Sequence, residues 1–365
     1  MKAAVCYQPG QPLRLEELEL EPPQQREVQV RLGAAGVCHS DLHVLDGTLP
    51  APLPAVLGHE GAGIVTAVGE GVHTVHPGDH VVLLWRSSCG QCAYCAGGQP
   101  ALCPQAAQIR QTGRLLDGTS RFRRGTEEIR HFLGVSAFAT EVVLPETGVV
   151  PVPADLPWPV AALLGCAVIT GVGAVLHAGR VRPGDRVAII GAGGVGLSAI
   201  QGSVLAGAAQ VVAVDLQPHR LAAARRLGAT QVVNASSGDV VAAVRELTNG
   251  GADCAIEAVG RPETMRQAFD MTRPGGTVVI VGMAAPQTTF PVPALELVRQ
   301  DKTIRGSIYG SARPRSDIPR LIALYRAGRL DLAALLGQTY KLEEINEAFS
   351  ALAAGQGLRS VVLFA

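Results

Sequence analysis

From Arg186 onward, short apolar runs alternate with helix-like stretches, and this rhythm restricts the fold more than any other feature of the chain. Arg186-Val187-Ala188-Ile189-Ile190 is followed by glycines and a helical stretch, then by Gln210–Asp215 and helix-like Pro218–Leu227. The pattern continues through Thr230–Asn234 with Asp239–Leu247, Asp253–Val259 with Pro262–Met271, and Gly276–Gly282. Strands that alternate with helices in this way build a parallel, doubly wound α/β sheet.

Residues 1–155 follow another grammar. Val28–Leu32, Ile64–Val68, His80–Leu84 and Glu141–Leu144 are short strands separated by Gly, Pro and Asp turns, which predicts a β-rich domain. The tail from about 309 holds helix-like Ile318–Ala327 and Leu342–Ala354 and a last strand, Ser360–Phe364, and is expected to fold back onto that first domain. At 365 residues the chain exceeds one comfortable core, so two domains are expected: 1–167 with 309–365, and 168–308.

Lys plus Arg and Asp plus Glu balance at 31 each, so charge gives no reason to expect nucleic acid or an anionic membrane as partner. Leu156 to Gly179 carries no charge and approaches membrane-spanning length, but its glycines, prolines and His177 predict a buried helix at the domain junction. Pro9-Gly10 interrupts the N-terminus before a signal-peptide core could form. Four of the eight cysteines crowd into Cys89–Cys103, which points to metal rather than disulfides and to a reducing cytoplasm.

Gly191-Ala192-Gly193-Gly194-Val195-Gly196 lies directly after an apolar strand and before a helix. In that context the first glycine permits the tight turn, the second admits a pyrophosphate, and the third lets helix and strand pack closely. Asp215 ends the next strand, where an acid accepts bonds from a ribose 2′-OH and repels a 2′-phosphate. NAD is therefore favoured over NADP, although Arg220 and the Arg225-Arg226 pair, close behind, would suit a 2′-phosphate.

Cys89-x2-Cys92-x2-Cys95-x7-Cys103 offers four thiols to one metal, with Gly90, Gly97 and Gly98 for the turns. Four thiolates leave no open position, which describes a structural zinc site. A zinc-ribbon nucleic-acid module would sit among basic residues, and no Lys or Arg lies between Cys89 and Cys103.

A second set is more dispersed: Cys38 in Cys38-His39-Ser40-Asp41, His59 in Gly58-His59-Glu60, and Cys166 in Leu164-Gly165-Cys166. Two cysteines and a histidine would balance zinc's charge and leave a fourth position for water or alcohol. From spacing alone, Cys166 could equally be a core thiol and His59 a turn histidine.

The chain resembles the zinc-containing alcohol dehydrogenases of the medium-chain family over essentially its whole length. The resemblance is carried by Gly36–His43, Gly58–Gly63, the four-cysteine stretch, Leu164-Gly165-Cys166 and the Gly191–Gly196 loop. Asp117–Phe122 and His131-Phe132-Leu133-Gly134 resemble the liver-type branch. The resemblance implies a GroES-like catalytic domain joined to a Rossmann coenzyme domain, with two zinc ions per chain and NAD. Cys38, His59 and Cys166 would hold the catalytic zinc, and Cys89, Cys92, Cys95 and Cys103 the structural one. Asp41 would orient His59, and Glu60 would lie behind the metal.

It further implies reversible oxidation of primary alcohols, aliphatic or aromatic, with hydride passing to the nicotinamide. Ser40 would accept the hydroxyl proton and relay it through the cofactor ribose to His43. His39 stands where many relatives carry an arginine against the pyrophosphate, so phosphate contact should be weaker and pH-dependent. Cofactor release should then be faster above about pH 7 than in a His39→Arg variant. Arg359 resembles another pyrophosphate-contacting arginine. Trp85, Phe132, Leu133 and Met283 would line the substrate pocket. A homodimer or homotetramer, paired through the sheet edge near Lys302–Ile308, is expected.

Three alternatives stay open. The branch acting on thiol adducts of formaldehyde carries a basic residue shortly after the fourth lobe cysteine, where this chain reads Pro104-Gln105-Ala106-Ala107-Gln108, with Arg110 and Arg114 beyond. A zinc-free NADPH quinone or enoyl reductase would have no use for Cys38, His59 and Cys166 together. A non-catalytic zinc- and NAD-binding sensor would bind both groups without turnover. Cys6 and Cys254 read as core.

Overall fold

A computed structural model describes residues 1–364. The chain divides into two compact units: Met1–Cys166 with Arg313–Arg320 and the segment from Leu336 onward, and Ala167–Ala312 with Leu321–Leu335.

The second unit is built on six parallel strands in the order Gln231–Asn234, Gln210–Asp215, Arg186–Ile190, Ala252–Glu257, Thr272–Ile280 and Thr303–Gly306. Arg186–Ile190 takes a central place because its apolar residues are buried throughout, as a strand covered by helices on both faces requires. Helices Gly194–Leu205, Pro218–Arg226, Val240–Leu247 and Pro262–Met271 supply that cover. Asp239 starts one of them by accepting the N–H groups of Val241 (2.9 Å) and Ala242 (3.0 Å). The strand expected at Gly276 begins earlier, at Thr272, and a register irregularity opposite Ala252–Cys254 absorbs Pro274-Gly275. Chain order reverses between Arg186–Ile190 and Ala252–Glu257, and the crevice outside the carboxyl ends of such strands is where doubly wound sheets take their ligands. Thr303–Gly306 forms an edge of the sheet, within the stretch that the family resemblance implies as an edge.

Leu156–Gly179 is the expected buried helix. Trp158–Gly179 runs for 22 residues and is 89% buried in its most apolar window, so its length and composition reflect core packing. Two of its turns, Leu164–Val168 and Ala174–Gly179, are π-helical.

The first unit holds two sheets. One has the order Arg14–Glu17, Lys2–Cys6, Ala55–Val56, Glu127–His131, Phe122–Arg124, Glu19–Leu20. The other centres on Glu27–Gly36, which pairs with Gly61–Val68, with Glu141–Pro145 and with the C-terminal Arg359–Leu363. That last pairing sets Val361 opposite Gly36 and carries residue 359 to the neighbourhood of Cys38, a placement that no local pattern announces. Leu336–Tyr340 adds beside Arg359–Leu363.

The sequence assigns all of 309–365 to the first unit, but the structure divides it. Tyr309–Ala312 and Leu321–Leu335 pack with the second unit. The Gln201 side chain explains part of this: it donates to Asp331 O (3.1 Å) and accepts Asp331 N–H (2.7 Å), a bond pair that mimics a strand ladder.

Candidate metal centre and cofactor loop

Cys38 ends the extended run that follows Glu27–Gly36 and caps the short helix His39–Leu45. That turn points Asp41 inward, where it is fully buried. One carboxylate oxygen accepts the Gly58 N–H at 2.9 Å and the other lies 3.0 Å from His59 Nδ1. A carboxylate at that distance from Nδ1 leaves Nε2 as the ring nitrogen that faces the thiols. His59 Nε2 stands 3.3 Å from Cys166 Sγ, and Cys166 occupies the π turn Leu164–Val168, a local distortion common at functional positions.

The ligand atoms of Cys38, His59 and Cys166 lie within 4.8 Å of one another, and all three residues are buried. The separation of a sulfur and an imidazole nitrogen on tetrahedral zinc is about 3.6 Å, so the trio fits that ion with a fourth position left over.

The turn that presents His59 is held from a second side. Gly58 has φ +92°, and a Cβ there would come within 2.6 Å of Phe138 N. The N–H groups of Ala137 and Phe138 donate to Gly58 O (2.9 Å) and Leu57 O (3.0 Å). The same loop sets Phe132 in a T-shaped contact with the His59 ring at 5.9 Å between centroids, and Trp85 makes a second such contact at 6.1 Å. Leu133 follows Phe132 in a left-handed conformation, φ +53°, and is half-buried.

Charge is arranged around the trio. The Cys38 thiol is held well below its usual range, first by its hydrogen bond with Cys166 and then by the Arg359 and His59 charges, which together overcome desolvation. Burial alone would push His59 down, but Asp41 and Cys38 raise it well above its ordinary value. Arg359 reaches Glu60 through Nε (2.9 Å) and Nη2. Burial opposes its charge, and the charges of Cys38, Glu60 and Cys166 hold it protonated. In this arrangement Arg359 is committed to the carboxylate beside the trio, a partnership the sequence reading did not include.

Ser40 Oγ lies 3.9 Å from Cys38 Sγ. On the same short helix, partly exposed His43 has Nδ1 3.7 Å from Asp46, and its ring is 6.3 Å from that of exposed His39.

The four-cysteine lobe closes on itself. Cys89 and Cys95 sulfurs are 4.0 Å apart and those of Cys92 and Cys103 are 3.9 Å apart. Two sulfurs on tetrahedral zinc are separated by about 3.8 Å. Backbone N–H groups point at the thiols: Cys92 N at Cys89 Sγ and Cys89 N at Cys103 Sγ, both 3.3 Å. Backbone bonds from Gln91 and Cys92 lower the Cys89 thiol to about 6, which favours the form a metal needs.

In the second unit three glycines of the Gly191–Gly196 loop differ in what surrounds them. Gly191 has φ +94°; a Cβ on Gly193 would project into open space; a Cβ on Gly196 would collide with Gly191 O. Gly194 and Val195 open the helix Gly194–Leu205. Asp215 is oriented by accepting Ala192 N–H (2.7 Å) and Gln217 N–H (2.8 Å). Open backbone at Gly193, a helix N-terminus and an anchored acid suit a dinucleotide. Arg220 is half-buried on Pro218–Arg226, and Met283 is 45% exposed beyond Thr272–Ile280. Cys6 and Cys254 are buried thiols raised by desolvation to about 11 and about 12, as inert core residues should be.

Comparison with known proteins agrees with this reading. The model of the alcohol dehydrogenase GroES-like domain matches residues 24–154, and that of the zinc-binding dehydrogenase domain matches residues 194–327. An NDMA-dependent alcohol dehydrogenase of Amycolatopsis methanolica is 42% identical, with 99% of this chain and 98% of that protein aligned. An S-(hydroxymethyl)glutathione dehydrogenase of Synechocystis sp. is 37% identical over 99% of both. The crystal structure of benzyl alcohol dehydrogenase from Acinetobacter calcoaceticus superposes with a TM-score of 0.94 at 37% identity, covering 100% of this chain and 99% of that one.

Proposed function

The chain belongs to the zinc-dependent medium-chain alcohol dehydrogenases, and we propose that it reversibly oxidises primary alcohols, aromatic ones foremost, with NAD as hydride acceptor. The observation that carries this reading is the buried convergence of Cys38, His59 and Cys166, with the far nitrogen of His59 held 3.0 Å from Asp41. Zinc held there would supply Lewis acidity toward an alcohol oxygen, and a nicotinamide would supply the hydride acceptor.

Every other step falls to the chain's own groups. Ser40 Oγ, beside Cys38, takes up the substrate's hydroxyl proton as it passes its own on toward partly exposed His43, which exchanges a proton with solvent. Trp85 and Phe132 both set their rings against His59, which favours flat, apolar substrates and keeps water away. Asp215 selects a free ribose 2′-OH. Cys89, Cys92, Cys95 and Cys103 hold a structural zinc. We infer a cytoplasmic homo-oligomer paired through the Thr303–Gly306 edge.

The Synechocystis relative's name makes a thiol adduct of formaldehyde the second reading. Arg114, one of two candidates to meet the adduct's carboxylate, is occupied by Glu128 at 2.9 Å, which leaves exposed Arg110 alone for that task. The test is the purified, zinc-loaded protein with NAD or NADP, ethanol, longer alkanols, benzyl-type alcohols and a formaldehyde–thiol mixture, followed by reduced-nicotinamide absorbance. Turnover of free benzyl-type alcohols with NAD supports the proposal, and activity on the adduct alone replaces it. Turnover only when NDMA is added would place hydride release with a second acceptor. Binding of zinc and NAD without any turnover would leave a sensor.

A further inference from the structure

Resting on the reading of the trio as an alcohol site, we propose that Arg86 is a positioning residue that ties the Trp85 indole to the four-cysteine lobe. Loading of the lobe then sets the shape of the pocket beside His59. The chain leaves strand His80–Leu83, passes through Leu84, Trp85 and Arg86, and enters the lobe at Cys89. Arg86 does not follow it outward. Its Nε donates to Ala101 O at 2.5 Å, and Ala101 is buried in the turn Pro100–Leu102 immediately before Cys103. The guanidinium carbon sits 5.7 Å from the Trp85 ring centroid, within the range of a cation–π contact. Trp85 in turn stands edge-on to His59.

A continuous path therefore runs from the fourth lobe cysteine through one backbone carbonyl, one guanidinium and one indole to a ligand of the other metal site. Arg313 Nε holds Gly98 O at 3.0 Å, so the lobe tip has a fastening of its own, separate from the Arg86 contact at Ala101. When the lobe opens, the Pro100–Leu102 turn moves with Cys103, Arg86 follows its acceptor, and the indole loses the group stacked on it. A four-cysteine site of this kind has a role in substrate selection as well as in stability. Planarity matters for both contacts, so lysine is not an equivalent.

The test uses the full chain grown with 5-fluorotryptophan. Its two tryptophans give two fluorine resonances, and Trp85→Phe assigns the Trp85 signal. Arg86→Met should shift that signal and leave the Trp158 signal in place, while zinc analysis finds the lobe still loaded. For benzyl-type alcohols the variant should raise KM by roughly 3- to 10-fold with kcat retained, as loss of one such contact implies, and Arg86→Lys should recover only part of that. Opening the lobe with Cys95→Ser should shift the Trp85 signal in the Arg86 background and add nothing in the Arg86→Met background. An unmoved Trp85 signal in Arg86→Met overturns the proposal. Equal Cys95→Ser shifts with and without Arg86 overturn the coupling; if Cys95→Ser does not fold, the Arg86→Met and Arg86→Lys comparison decides alone. The resonances do not require turnover, so expected shifts in a protein inactive on alcohols would leave the positioning role standing and remove the substrate reading.

Discussion

Replacing Arg359 by Gln should destabilise the first unit far more than an ordinary surface arginine change, and the cost follows from what surrounds it. Arg359 is 7% exposed and Glu60 is fully buried, with both Nε and Nη2 of the arginine on one carboxylate oxygen. At a charge separation of about 4 Å and an effective dielectric of ~20 the attraction is about 4 kcal/mol, which roughly offsets the desolvation of the two ions. The pair contributes little net stability, but breaking it leaves a buried carboxylate without its counter-charge, at a cost of about 3–5 kcal/mol. Each single substitution removes one charge of the pair and leaves the other buried, whereas the double variant removes both, so the double should cost less than the sum of the singles by about 3 kcal/mol. Both tryptophans belong to the first unit, so urea unfolding followed by their fluorescence at saturating zinc reads the affected unit directly. An Arg359→Gln cost below about 1 kcal/mol, or strictly additive variants, would refute charge compensation as the reason the pair exists.

Asp41→Asn should weaken zinc binding at the trio by about 10- to 100-fold while the four-thiol site keeps its metal, as competition with a graded chelator would show. Equal loss from both sites would count against it. Asp215→Ser should narrow the preference for NAD over NADP by roughly 10- to 100-fold, read as the ratio of kcat/KM values, because a charged acceptor is lost; an unchanged ratio places the ribose elsewhere. Burial depresses His131 to about 3, so the folded protein refuses a proton that the unfolded chain takes at its ordinary value of about 6.5. Unfolding then binds more protons between those values, and stability should fall as pH drops from about 6.5 toward 3, by up to ~1.4 kcal/mol per pH unit. Relative to wild type, His131→Gln, which can still accept the Arg121 N–H, should flatten the urea-midpoint profile across that window; parallel profiles would assign the acid sensitivity to other groups.

The second unit was legible in the sequence because its information is local. Arg186–Ile190 and Gln210–Asp215 are continuous apolar runs that only a twice-covered strand explains, and Asp239 marks its helix by the side chain that caps it. The sequence places the start of this sheet's Thr272–Ile280 strand at Gly276, because Pro274-Gly275 reads as a turn unless the neighbouring strand's irregular register is known. In the first unit the residue types of both metal sites were visible, but their closure was not. Arg359 meets Glu60 only because the C-terminal strand pairs with Glu27–Gly36, and the clamp of Ala137 and Phe138 on the His59 turn joins segments far apart in the chain. Arg86 carries no motif at all; its meaning depends on which carbonyl the lobe's fold brings within reach.

The pairing of the chain's end with Glu27–Gly36 also orders events during synthesis. All three residues of the trio have been synthesised once Cys166 is added, yet Arg359 follows about 190 residues later, roughly 10–40 s at ordinary elongation rates. Over that interval Glu60 lacks its arginine, and residues 34–36 lack the strand that finally covers them. An open strand edge of this kind invites pairing with another nascent chain. The first unit is thus the earlier to begin and the later to finish, and a stop codon just before Arg359 would yield a protein with every ligand in place and its sheet still open.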